Sequence, residues 1–237
     1  MRSTEAADGG TASPPPQRHA RVWLDPETWR SRLLAEVDEA SLTALDDWIV
    51  RGRSLVARRR DSGSEACFVG VVLPPRHGQR RVPLVVDPRA VVRVAPPLLL
   101  GDAVDAAPAD WRVALADLVQ RGRDAGTAFR VYGSLAWQAV SGETYVGPMS
   151  DVDLLWQARD VDHVRRVLRL LTTWEAEHGL RADGELSLAN GDGVAWRELT
   201  GSARRVLVKH QDRVSLQPSP LLLANDPVRD PSPHESA

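Results

Sequence analysis

The chain has 237 residues, 43% hydrophobic and 26% charged, which suits one large or two small folded domains and excludes wholesale disorder. Thirty Lys+Arg against 32 Asp+Glu leave a formal charge of −2, which excludes a polybasic nucleic-acid coat and an acidic tail protein. Cys67 is the only cysteine and the six histidines show no HExxH spacing, so a disulfide framework and a thiolate zinc site are excluded too.

Residues 1–18 are small, polar and proline-rich and are expected to be disordered, as are residues 225–237. Val22 to Leu24 reads as a short strand, and Asp25-Pro26-Glu27 as a helix start with Asp25 as N-cap. Leu42, Leu45 and Trp48-Ile49 have helical spacing. Ser54 to Arg59, Cys67 to Leu73 and Arg81 to Val86 read as strands, with a turn at Pro74 to Gly78. Residues 19–100 therefore form a small antiparallel-rich α+β unit. Pro96-Pro97 and the Ala/Asp/Pro-rich stretch from Gly101 to Asp110 suggest a hinge or linker.

Residues 101–224 make the second unit. Trp111, Ala114, Leu115, Leu118 and Val119 mark an amphipathic helix ending near Gly122 or Gly126. Ala128 to Tyr132 is a strand running into Gly133-Ser134, and Leu135 to Val140 starts a helix that Gly142 ends. Asp151 to Trp156 is the next strand. Val161 to Trp174 keeps helical spacing behind the cap Asp160, and Arg181 to Leu188 is a strand. Asn190-Gly191 turns the chain into a return strand, Gly193 to Leu199.

The chemistry lies in three places: Gly133-Ser134, Asp151-Val152-Asp153 and Asp183-Gly184-Glu185. Residues two apart on a strand share a face, so Asp151 and Asp153 stand side by side while Val152 and Leu154 turn to the core. Two neighbouring carboxylates repel unless a cation lies between them. Asp183 and Glu185 repeat the pattern on a neighbouring strand. Such oxygen donors suit Mg²⁺, as a pair of ions, with Asp151, Asp153 and Glu185 or Asp183 as ligands. Gly133 lets the backbone approach a ligand, and the helix-start amides with the Ser134 hydroxyl suit phosphate oxygens.

A Gly-Ser turn, an Asp-x-Asp strand and a further acidic strand resemble the polymerase-β-like nucleotidyltransferases. A closer likeness runs from about His19 to Leu216. It is carried by Tyr132 to Gln138 (YGSLAWQ), Ser150 to Trp156 (SDVDLLW), His19 to Trp29, Gly52 to Arg60, Leu73 to Val86 and Asp183 to Leu199. These segments resemble the malonate decarboxylase holo-acyl-carrier-protein synthases, which are phosphoribosyl-dephospho-CoA transferases. Val152 stands where leucine is expected, and Ser141-Gly142 where Thr-Gly is expected; neither is a candidate ligand.

The resemblance implies an α+β enzyme in which a small N-terminal α+β domain precedes a polymerase-β-like nucleotidyltransferase domain. Its substrates would be triphosphoribosyl-dephospho-CoA and a serine of the apo acyl-carrier-protein subunit of malonate decarboxylase, with pyrophosphate released. Asp151, Asp153 and Glu185 would be catalytic. Gly133 and Ser134 would bind substrate. From the residues themselves, Trp137, three past Ser134, reads as a stacking platform or a core residue, and Arg58, Arg60 and Arg81 read as phosphate or carrier contacts or as solvated strand ends. Neither nucleic acid nor a membrane is an expected partner, and the expected location is the cytoplasm.

Two rivals compete. One is another nucleotidyltransferase, such as the citrate lyase prosthetic-group transferase or an enzyme nucleotidylating a small molecule. The other is a non-catalytic module that binds only carrier or nucleotide. Lys209, the only lysine among the 30 basic residues, reads as a surface residue at a strand end, and Cys67 as a small core residue.

Overall fold

In the first half, every second residue of the strands is apolar, and those residues line up on one face of a sheet. The strands are β1 (Arg21–Leu24), β2 (Leu55–Ala57), β3 (Cys67–Val72), β4 (Arg81–Val86) and β5 (Val91–Ala95). They pair antiparallel throughout in the order β4-β3-β2-β1-β5. Helix α1 (Glu39–Val50) starts on Asp38, whose side chain accepts from the Ser41 amide. Its Leu45, Trp48 and Ile49 belong to one core with Val22, Leu55, Val69, Val71 and Leu84. The opposite face, bearing Ser54, Val56, Val72 and Arg81, looks into a cavity shared with the second half. These positions come from a computed structural model that describes residues 15–201 and 204–219.

The second half begins with β6 (Leu98–Leu99), α2 (Leu100–Ala103), α3 (Ala109–Asp124), β7 (Arg130–Val131) and α4 (Gly133–Ser141). Then come β8 (Val152–Gln157), α5 (Val161–His178), β9 (Ala182–Ser187), β10 (Gly193–Ala195), α6 (Trp196–Thr200), β11 (Arg205–Lys209) and β12 (Val214–Pro218). These strands form a seven-stranded sheet in the order β12-β11-β10-β9-β8-β7-β6. Only β8 and β9 pair in parallel, because α5 carries the chain back between them. Val152, Leu154 and Trp156 face the helices, packed with Leu115, Leu118, Val167, Leu171 and Trp174.

Several sequence expectations need correction. The proposed linker is built into the fold: Leu100, Ala103 and Ala107 are buried in the second core, so the chain crosses from β6 to α3 through packed turns. Asp25 caps a single turn instead of a helix; its carboxylate accepts from Glu27 N and Thr28 Oγ1, and only a short 3-10 turn follows at Arg30–Arg32. The return strand stops at Ala195, since Trp196 and Leu199 bury themselves as α6. Strands β5, β6 and β12 were not foreseen. Both tails lie largely outside the described residues, but Arg18 is described and meets the second sheet.

The two halves are fastened around α4 and the loop after it. Tyr145 donates its hydroxyl to Val72 O at 2.9 Å, and Arg53 Nη2 donates to Ser141 O at 2.8 Å. Gln138 Oε1 accepts from the Tyr145 and Val146 amides, which ties the loop to the helix.

Candidate active site

Strand β7 ends at Val131, and Gly133 opens α4 with φ +65°. A Cβ there would fall on Asp153 Oδ2 and lie 2.7 Å from Asp153 Cγ, so the position admits only glycine. The turn thus presses the start of α4 against the Asp153 carboxylate. Gly133, Ser134 and Asp153 line a cavity of about 800 Å³ with His19, Arg21 and Arg81. The cavity runs between the polar face of the first sheet and the acidic face of the second.

On that acidic face the register places Asp153 opposite Asp183 and Leu155 opposite Glu185. Asp151 precedes β8 by one residue and shares the face by alternation. Burial, then the charges of Asp151 and Asp183, push the Asp153 carboxyl up to about 7. The cations near this group make only loose ion pairs: Arg181 Nε is 3.7 Å from Asp151 Oδ2, and Arg197 Nε is 3.9 Å from Asp183 Oδ1. Three oxygen donors on adjacent strands with so little compensation suit a hard divalent cation.

Glu185, two residues along the same face, lives differently. Arg18 grips both oxygens, Lys209 Nζ donates to Oε1 at 2.7 Å, and His19 Nε2 lies 3.6 Å from Oε2. Burial favours the neutral carboxyl, but His19, Arg18 and Lys209 overcome it and hold Glu185 well below the usual carboxylate range. With its lone pairs taken, Glu185 is a poor candidate ligand; Asp183, opposite Asp153 in register, is the acid on that strand left without such partners. Lys209 is the built-in counter-ion of Glu185, not a free surface lysine.

The other sequence candidates separate. Arg81 lines the cavity, across β4–β3 from Val72. Arg58 lies on the same sheet face but beyond the lining, its Cδ over Gly70. Arg60 is further off, its amide bonded to Gln211 O. Trp137 lines the cavity, yet its ring is 92% covered and set edge-on to Trp48 at 5.9 Å, so it works chiefly as a bolt between the halves.

Sequence reasoning missed Arg18 and His19. His19 has φ +69°, stacks on Tyr132 with centroids 4.5 Å apart and has no hydrogen-bond partner at its buried Nε2. Burial first, outweighing the pull of Glu185, moves its pKa down. Its place in the stretch from His19 to Trp29 that carried the family likeness was the available signal.

Elsewhere, Asp117, Glu177 and His178 bring donor atoms within 4.8 Å of one another. Arg121 already bonds both carboxylates and His178 bonds Asp117 at 2.8 Å, so this surface network neutralises itself.

Comparison with known proteins bears on this geometry. Residues 17–97 match the family model of the phosphoribosyl-dephospho-CoA transferase MdcG N-terminal domain, and residues 98–220 that of the C-terminal domain. The chain belongs to the phosphoribosyl-dephospho-CoA transferase family. Curated relatives of that name include one from Xanthomonas euvesicatoria pv. vesicatoria, 38% identical over 90% of this chain and 97% of the relative. Another, from Bradyrhizobium diazoefficiens, is 39% identical over 85% of this chain and 90% of its own. The Azotobacter vinelandii transferase is 31% identical over 82% and 89%. No solved structure matches. Among the described residues, no helix is long and apolar enough to cross a membrane.

Proposed function

We propose that the chain transfers the phosphoribosyl-dephospho-CoA group from its triphosphate donor to a serine of the malonate decarboxylase acyl-carrier subunit. The serine oxygen bonds to the α-phosphorus, the bond from that phosphorus to the bridging oxygen breaks, pyrophosphate leaves and the hydroxyl proton is released. The observation that carries this reading is Asp153, pressed against the Gly133-Ser134 turn in the wall of the cavity, with Asp151 and Asp183 beside it on the same sheet face. The catalysis is mostly positioning and neutralisation of charge. Ser134 and the first amides of α4 hold the phosphate oxygens. Arg81, from the other wall, supplies a fixed positive charge. Glu185 keeps Arg18 and Lys209 in place beneath the site. Asp151, Asp153 and Asp183 are the ligands we assign to Mg²⁺, which when bound would neutralise the triphosphate.

The β7–α4–β8–α5–β9 order, with its acidic parallel pair, supports a polymerase-β-like nucleotidyltransferase domain behind a separate N-terminal domain. The cytoplasm is the compartment that suits this reaction. Mass spectrometry of apo carrier incubated with enzyme, donor and Mg²⁺ tests the reading. The expected result is one added phosphoribosyl-dephospho-CoA with pyrophosphate released, lost in Asp151→Ala and on chelation. Modification at the wild-type rate by Asp151→Ala would overturn it, and consumption of nucleoside triphosphates instead of the donor would favour the rival nucleotidyltransferases.

A further inference from the structure

Beyond His19 the groove does not end. A second cavity of about 400 Å³ lies at the far ends of β8 and β9 and shares His19 and Pro97 with the first. Ligand sites fall at roughly 300–1,000 Å³. The lining chemistry of the two differs sharply. The first holds Asp153; the second has no Asp or Glu among its lining residues but has Arg130 and Arg159 with Gln157 and Ser187, beside Arg18, which Glu185 already pairs. Among the described residues, neither Arg130 nor Arg159 pairs with a carboxylate. Arg130 Nη1 donates to Pro97 O at 2.6 Å, and Arg159 Nη1 lies over Gly126, within 3.2 Å of where a Cβ would stand.

The joint between the cavities is positive as well. Arg21 lines the first cavity and donates to Pro96 O at 3.0 Å. Burial, then the neighbouring charges of Arg93 and Arg130, lower its pKa. Arginines gathered around a cavity without acids pay mutual repulsion, and an anion removes that cost. The forked guanidinium groups match phosphate oxygens in pairs.

We propose that this second cavity binds the nucleoside 5′-diphosphate ester of the dephospho-CoA portion of the donor, held by Arg130 and Arg159. This inference rests on the reading above, which puts the triphosphate end of the same molecule at Gly133 and the aspartates. The two phosphate groups of such a donor are separated by two linked riboses, and the cavities are separated by His19 and Pro97. One ligand thus spans both, with its reacting end on the acidic side and its handle on the basic side. The division also explains why one sheet face carries opposite charge at its two ends.

Binding, not turnover, tests it. Isothermal titration with 3′-dephospho-CoA, in the absence of metal and of any triphosphate, probes the basic cavity alone. Arg159→Ala removes an exposed side chain without an ion pair, so its fold is not at risk; Arg130→Ala is the second variant. Each is expected to weaken dephospho-CoA binding roughly tenfold, with Arg159→Lys recovering part of it. In carrier modification the same variants should raise the KM for the donor and spare kcat. Unchanged dephospho-CoA binding in both variants would overturn the proposal, as would binding lost in Arg81→Ala but kept in them, or no binding to the wild type. A raised KM for carrier alone would overturn it too, by giving these arginines to the protein substrate. If the wild type fails to modify carrier but binds dephospho-CoA through Arg159, the transfer reading fails and this cavity assignment stands.

Discussion

Asp153 and Glu185 are acidic residues on the same face of adjacent parallel strands, two residues apart in register, yet their surroundings are opposite. Around Glu185 the chain provides every counter-charge itself: Arg18, Lys209 and His19 close over it. Around Asp153 it provides two more carboxylates and leaves the nearest pairings of that group at 3.7 and 3.9 Å. An acid that the fold neutralises is part of the scaffold, whereas acids left uncompensated await charge from outside. Residue type alone does not separate these roles; the register and the cations do.

The comparison breaks first in activity. Asp153→Asn and Asp183→Asn should each slow carrier modification by about 10³-fold or more, while Asp183→Asn leaves stability within about 1 kcal/mol. Glu185→Ala should do the reverse of Asp183→Asn at the level of the fold. It strands Arg18 and Lys209 under cover and should cost about 3–5 kcal/mol in urea denaturation. If Asp183→Asn unfolds the protein and Glu185→Ala merely inactivates it, the two roles are exchanged.

The pH dependence of stability sharpens the contrast. Native Asp153 binds its proton up to about pH 7, whereas the unfolded chain releases it near the ordinary carboxylate value. Between those limits the native state holds more protons, so metal-free stability should fall as pH rises and level off above 7, by on the order of 4 kcal/mol. Asp153→Asn should remove that slope in thermal melts. Glu185, held low, contributes stability that is complete above its unfolded pKa and fades only as pH drops through its lower native value. The smallest expected effect belongs to Arg58→Ala and Arg60→Ala. Both side chains lie outside the cavity lining, and donor KM should change less than twofold in steady-state assays.

Much of this was legible beforehand. The glycine before Ser134, the Asp-x-Asp alternation and the cap at Asp160 each act through neighbours in sequence, and the structure has the elements they imply. The contrast between the surroundings of Asp183 and Glu185 was not legible, because it depends on Arg18 and Lys209, separated from Glu185 by 167 and 24 residues. The supposed linker misled for a related reason. Alanine and proline read as a flexible join, but Ala103 and Ala107 are small so that α2 and the turn after it can pack closely on the core. Strand β12 escaped notice because its outer residues Val214 and Leu216 stay exposed and give no buried alternation.

Arg18 and His19 belong to the segment matched by the N-terminal family model, yet their side chains work in the other half. Arg81 faces the same cavity from the first sheet. The boundary near residue 97 is therefore a seam in sequence but not in chemistry. A C-terminal half separated from its partner would keep its aspartates, its glycine turn and Lys209 on Glu185, while losing Arg81 from the cavity wall and Arg18 and His19 from Glu185. Each half thus closes a site that the other half opens.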